Sequence, residues 1–118
     1  MGQPSPKRIL IVDDEPSICR VLTDLLRLDG HQSTVAQTGG EAIELCKARQ
    51  FDLVLLDFQL PEMTGDQISN MIRRSNPKQK IVLMSGHKLQ PMMDNADHCV
   101  RKPFTAQIIR DAIERFAA

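Results

Sequence analysis

Apolar and polar positions follow two rhythms along this chain. Ile9-Leu10-Ile11-Val12 and Leu53-Val54-Leu55-Leu56 are continuous apolar runs, with the length and aliphatic content of strands buried on both faces of a parallel sheet. Between such runs, apolar residues recur three and four positions apart, the spacing of a helix with one buried face. The predicted order is a strand over Arg8 to Val12, then a helix opened by Pro16 that repeats Ile18, Val21, Leu22, Leu25 and Leu26 and stops at Gly30. A short strand is predicted around Ser33 to Ala36, followed by a helix opened by Gly39-Gly40 with Ala42, Leu45 and Cys46 facing inward. Phe51 to Leu56 reads as the third strand, and after a loop through Pro61 and Gly65 a third helix carries Ile68, Met71 and Ile72 and ends near Asn76-Pro77. Lys80 to Met84 and His98 to Arg101 read as the last strands, and a helix capped by Thr105 repeats Ile109, Ala112, Ile113 and Phe116. Strands alternating with helices five times predict an α/β fold, a doubly wound five-stranded parallel sheet.

Two of the apolar runs end in acid. Asp13-Asp14 follows the first and Asp57 follows the third, and in an open parallel sheet the carboxyl ends of the strands are where ligands bind. Lys102-Pro103 closes the last strand, and Ser85-Gly86 follows the fourth. Three carboxylates drawn to about 4 to 6 Å would repel by roughly 1 to 4 kcal/mol per pair near a protein surface, so such a cluster calls for a cation. An all-oxygen donor set suits Mg²⁺, which takes one or two carboxylates together with phosphate oxygens. Asp57 can also react, because a carboxylate attacking phosphorus yields an acyl phosphate. Lys102 would then place its charge on a phosphate oxygen, and Ser85 would donate its hydroxyl. Each residue also has a plainer reading: helix-start acids for Asp13, Asp14 and Glu15, a turn residue for Asp57, a solvated lysine for Lys102 and a loop or cap residue for Ser85. Their joint position at one sheet edge is what favours chemistry.

Composition narrows the class further. At 118 residues the chain is expected to form one domain with a substantial core, preceded by a polar, flexible lead over residues 1–7 that lacks an apolar signal segment. Fifteen basic and fifteen acidic residues give zero net charge, which argues against nucleic acid or an anionic membrane as partners of this segment. No run approaches the roughly 18 apolar residues of a membrane span. Cys19, Cys46 and Cys99 are odd in number, far apart and set in apolar patterns, so buried reduced thiols and a cytoplasmic setting are expected. His31, His87 and His98 lack ligand spacing and read as surface residues, and the methionines as packing.

The motifs ILIVDDEP, LVLLDFQLPEMTG, VLMSGH and VRKPF together resemble the receiver domain of two-component response regulators, and the likeness runs over nearly the whole chain. The resemblance implies that residues 8–118 form a receiver domain of flavodoxin-like fold with strand order 2-1-3-4-5. It implies Asp57 as phosphoacceptor, with Mg²⁺ held by Asp14 directly, by Asp13 through water, by Asp57 and by the backbone carbonyl of Gln59. Ser85, beside the small Gly86, would be the hydroxyl that moves toward the phosphate, Lys102 the phosphate-binding lysine, and Lys102-Pro103 a peptide usually cis in this family. Gln59 and His87 would line the path of the hydrolysing water and tune the lifetime of the phosphoryl group. The implied partners are a sensor histidine kinase or phosphotransfer protein upstream and an effector domain or protein downstream.

Two departures fall on the face through which the family signals. Lys102 lies seventeen positions after Ser85, about five fewer than usual, so the helix between the last two strands is expected to be shortened or lost. Lys88 to Asp97 contains Pro91 and no sustained apolar period, which predicts a loop with at most one helical turn. Cys99 stands where the family has an aromatic ring, and a thiol cannot sweep between buried and exposed rotamers as a ring does. A surviving switch would then reside in the loop after Ser85. The leading expectation is a phosphorelay module that takes a phosphoryl group onto Asp57 and changes partner binding, not a conventional enzyme. Two alternatives stand beside it: a docking module with a degenerate output face that ignores phosphorylation, and an aspartyl-phosphate phosphohydrolase, whose Asp-x-Asp motif is here Asp57-Phe58-Gln59.

Overall fold

The computed structural model describes residues 5–86 and 96–117. Nine elements follow in the order β1 (Arg8–Val12), α1 (Pro16–Leu28), β2 (Gln32–Ala36), α2 (Gly39–Ala48), β3 (Leu53–Asp57), α3 (Gly65–Ser75), β4 (Ile81–Ser85), β5 (His98–Arg101) and α4 (Ala106–Phe116). All strands pair in parallel in the order β2-β1-β3-β4-β5, as expected from the sequence. The chain thus reverses direction of winding beside β1, and the crevice at that switch point lies between the ends of β1 and β3.

Strand alternation divides the core between two helical layers. Ile9, Ile11, Leu53, Leu55, Val82, Met84 and Val100 face α1 and α4, whereas Leu10, Val12, Val54, Leu56, Ile81 and Leu83 face α2 and α3. Both faces of β1, β3 and β4 are therefore shielded, which explains why these strands read as unbroken apolar runs. Helix starts are set by side chains: Thr38 accepts from the Glu41 N–H, Thr64 and Gln67 form a reciprocal capping box, and Thr105 accepts from the Ile108 N–H. Gly30, at φ 83°, supplies the left-handed turn that ends α1.

Several details correct the sequence expectations. Val21 and Met71 belong to the apolar repeats of α1 and α3 but are 56% and 40% exposed, because each lies at the margin of its buried stripe. In α2 the buried positions are Gly39, Ala42 and Ile43, with Leu45 and Cys46 half-buried. β3 begins two residues later than predicted and includes Asp57, and β4 extends to Ser85. Cys19 is buried as expected, while Cys46 and Cys99 are half-buried free thiols. His98 is exposed, but its ring stacks on Phe116 at 5.1 Å. The predicted loop over Lys88 to Asp97, except for its last two residues, and His87 lie outside the described residues.

Candidate functional site

The ends of β1, β3, β4 and β5 meet at one edge of the sheet. Asp13 continues β1 by one residue, its N–H donating to the Ala36 carbonyl at 3.1 Å. Asp57 is the last residue of β3, and Phe58 continues the pairing through a 2.8 Å bond to the Met84 carbonyl. Lys102 follows β5, its backbone N–H donating to the Ser85 carbonyl at 2.7 Å. These register positions bring one carboxylate oxygen each from Asp13, Asp14 and Asp57 within 4.8 Å of one another. Asp13 is fully buried and Asp57 nearly so, while Asp14 is exposed. The Lys102 ammonium lies 2.7 Å from Asp13, 3.5 Å from Asp57 and 4.0 Å from Glu15.

This geometry discards the plain readings of most of these residues. Glu15, not Asp13 or Asp14, is the N-cap of α1, and the first turn holds no acid. Asp13 instead accepts from the Glu15 N–H at 2.9 Å, folding the acidic loop back toward the crevice. The Lys102 side chain is 14% exposed, unlike a solvated surface lysine. Ser85 is buried at the end of β4, and Gly86 follows it into solvent. The Lys102–Pro103 peptide is cis. Gln59 donates its N–H to Asp57 at 3.3 Å, and an isolated bridge to Thr64 holds it at the base of a tight loop. Gly65 makes that loop's return feasible: a Cβ there would lie 3.0 Å from the Phe58 Cα and 2.9 Å from Leu83. Cys99 packs toward the α2/α3 layer, away from the carboxylates.

Electrostatics follow from the burial. Desolvation, then the charge of Asp13, push the Asp57 carboxyl above its ordinary 3.8; Lys102 and the Gln59 N–H only partly offset them. Burial opposes the charge on Lys102, but its hydrogen bond to Asp13 and the charges of Asp13, Asp57 and Glu15 outweigh that and raise it above 10.5. Three acids countered by one lysine, with every donor an oxygen, form a set suited to a hard divalent cation. Two participants were not visible in the sequence pattern. Glu15 extends the acidic rim toward Lys102, which only its adjacency to Asp13-Asp14 hinted at; the buried Cys19 thiol donates to the Asp13 carbonyl at 3.3 Å, for which no sequence signal exists. A groove of about 650 Å³ lies at the opposite edge of the sheet, but there Arg110 and Asp29 already pair at 2.7 Å, and the carboxylate cluster is elsewhere.

Comparison with known proteins agrees with this arrangement. The sequence profile of the response regulator receiver domain matches residues 9–114. The chain is 30% identical over 107 residues to the probable transcriptional regulatory protein TcrX of Mycobacterium tuberculosis, covering 86% of this chain and 46% of that protein. It is 33% identical over 102 residues to the DNA-binding response regulator MtrA of Mycolicibacterium smegmatis, covering 83% and 45%. The chain thus spans less than half the length of these curated relatives. Among solved structures, the response regulator TrrA of Thermotoga maritima in complex with Mg²⁺-BeF superposes with a TM-score of 0.86 at 30% identity, covering 93% of this chain and 98% of that one. A CheY-like receiver domain from Methanospirillum hungatei superposes with a TM-score of 0.87 at 27% identity, covering 96% and 94%. With a profile match over most of its length and a shared sheet order, the chain belongs to the response regulator receiver domain family.

Proposed function

We propose that this receiver domain, residues 8–118, accepts a phosphoryl group on Asp57 from the phosphohistidine of a sensor kinase or phosphotransfer protein. The observation that carries the reading is the convergence of Asp13, Asp14 and Asp57 within 4.8 Å beside the Lys102 ammonium. Mg²⁺ would be held by Asp13, Asp14, Asp57 and the Gln59 carbonyl, and when bound it neutralises charge on the transferring group. An Asp57 carboxylate oxygen attacks phosphorus, the P–N bond of the donor breaks, and the imidazole leaves with that electron pair and takes up a proton. An acyl phosphate remains on Asp57. Lys102, already aimed at Asp57, pairs with a phosphoryl oxygen, and the Ser85 hydroxyl hydrogen-bonds another. Gln59, held against Asp57 through its N–H, would with His87 govern access of the hydrolysing water.

Support comes also from the TrrA structure, a complex with Mg²⁺-BeF. DNA binding named for MtrA is carried to no part of this neutral chain, which corresponds to 45% of that protein. A downstream effector domain or protein is the proposed recipient of the signal. One observation favours a second reading, a docking module indifferent to phosphorylation: the half-buried position before Val100 is a thiol, with no ring to move.

Acetyl phosphate with and without Mg²⁺, read by intact mass beside Asp57→Asn, tests the first reading. A single Mg²⁺-dependent phosphoryl gain confined to the parent chain supports it. Gain at an aspartate other than Asp13 or Asp14 in Asp57→Asn refutes the assignment, and absence of any gain in the parent favours the docking module.

A further inference from the structure

At the other end of β4 and β5, Asp97 makes an unusual double contact with one residue. Its backbone N–H donates to the Ile81 carbonyl at 2.8 Å, and its carboxylate accepts from the Ile81 N–H at 2.7 Å. The same carboxylate oxygen receives the Arg73 guanidinium at 2.7 Å, and Lys80 lies 3.8 Å from the other. Arg73 is itself held in place by donating to the Gln79 carbonyl at 3.1 and 3.2 Å.

β5 needs such an anchor. Among the described residues it is the sheet edge and pairs only with β4, and of its four residues only Val100 is buried. Register is specified by the side chains a strand must bury, so one buried valine specifies it weakly. A slip of one residue would displace Lys102 by about 3.3 Å and turn its side chain to the other face. Its ammonium now stands 2.7 Å from Asp13 and 3.5 Å from Asp57.

We infer that Asp97, held by Arg73, is a positioning residue that locks the register of β5 and thereby aims Lys102 into the phosphoacceptor crevice. The inference rests on the proposed role of Asp57. Because Asp97 reads both the N–H and the C=O of Ile81, a slip breaks both bonds at once.

The test compares the parent with Asp97→Ala, with Asp97→Asn, which keeps an acceptor for Ile81 but loses the ion pair, and with Asp52→Ala. Asp52 accepts from the Arg8 N–H at 2.8 Å at the same sheet edge, so its loss costs a similar bond without touching β5. Amide hydrogen exchange at Lys102 and acetyl phosphate labelling of Asp57 at saturating Mg²⁺ are measured for each. In Asp97→Ala, labelling should slow by about tenfold to a hundredfold, as expected for a displaced reacting group, with the Mg²⁺ midpoint within about twofold of the parent. Lys102 should lose protection while Val12 and Leu55 keep it; Asp97→Asn should fall between, and Asp52→Ala should match the parent. Parental labelling and protection in Asp97→Ala would overturn the inference, as would an equal loss of labelling in Asp52→Ala. If the parent itself does not label, the phosphoacceptor reading fails, and exchange at Lys102 alone decides the register lock. Should Asp97→Ala fail to fold, Asp97→Asn and Arg73→Gln carry the same comparison.

Discussion

Replacing Asp57 by asparagine should stabilise the metal-free protein, and magnesium should reverse the order of stabilities. At an effective dielectric constant of about 20, Asp13, within 4.8 Å, repels the Asp57 charge by about 3.5 kcal/mol or more and Lys102 at 3.5 Å attracts it by about 4.7 kcal/mol. The exposed Asp14, in nearly aqueous surroundings, adds roughly 0.9 kcal/mol of repulsion, so the pairwise terms almost cancel. What remains is the desolvation of a carboxylate whose side chain is 8% exposed, which costs up to several kcal/mol in a protein interior. Asparagine avoids that cost, keeps an acceptor for the Gln59 N–H and offers an amide donor to Asp13, so a gain of about 1 kcal/mol is expected in EDTA. The sign in pH follows from the raised Asp57 pKa. Its ionisation penalty is present above the folded pKa and disappears as pH falls through that value toward 3.8, so the advantage of Asp57→Asn should shrink in acid. With no Trp or Tyr in the chain, urea unfolding is followed by far-UV circular dichroism. At a Mg²⁺ concentration of about 100 times Kd the parent should gain roughly 2.7 kcal/mol, and the variant, lacking one of three carboxylates, much less. A variant less stable than the parent in EDTA, or a difference that Mg²⁺ leaves unchanged, would refute this account of the cluster.

Four further outcomes are expected. Gly65→Ala should lower stability by about 1 to 3 kcal/mol in urea titrations, since its Cβ would meet the Phe58 backbone and Leu83, whereas Gly40→Ala, with open space around it in α2, should raise stability by about 0.5 to 1 kcal/mol. Ser69 is buried in α3 with a hydroxyl that has no hydrogen-bond partner among the described residues, so Ser69→Ala should be neutral or stabilising by up to about 1 kcal/mol, and a clear loss would mean the hydroxyl is used. Burial pushes the Cys46 thiol up to about 11, so iodoacetamide at pH 8 should modify it about a hundredfold more slowly in the folded protein than in urea, as read by mass.

How much of this was legible in the sequence depends on how many residues carried each feature. β1, β3 and β4 are buried on both faces, and an unbroken aliphatic run is the direct imprint of that burial. The acids were legible because they terminate such runs, and Lys102 because Pro103 marks the end of the last strand, so strand order alone brings them to one edge. Helix margins were harder: Val21 and Met71 fit the helical period, yet the buried stripe is narrower than the apolar one. The start of β3 was misplaced because Phe51 is buried and apolar without taking part in the ladder. The Asp97 network left no trace at all in the pattern. An aspartate before a weak strand looks like a turn residue, and its partners Arg73 and Ile81 are 24 and 16 positions away.

That difference matters for how the site works. Asp13, Asp14 and Asp57 sit on, or directly after, strands whose register is set by several buried side chains, so their convergence tolerates small perturbations. Lys102 is the cation that the described residues bring within 4.0 Å of these acids, and it follows β5, an edge strand in which Val100 alone is buried. A displaced lysine keeps its charge but loses its aim: in water-like surroundings an ion pair at 4 Å amounts to about 1 kcal/mol, against roughly 4 kcal/mol in the half-buried crevice. The functional weight of Lys102 therefore depends on geometry that its own strand specifies poorly. Polar bonds at the far end of β5 can supply that geometry at little cost, because Asp97 and Arg73 remain partly exposed, at 22% and 23%, and need not be fully desolvated. An apolar anchor at Asp97 would bury more surface but would leave the Ile81 N–H without its acceptor, so the carboxylate is the residue type that can hold both register and backbone.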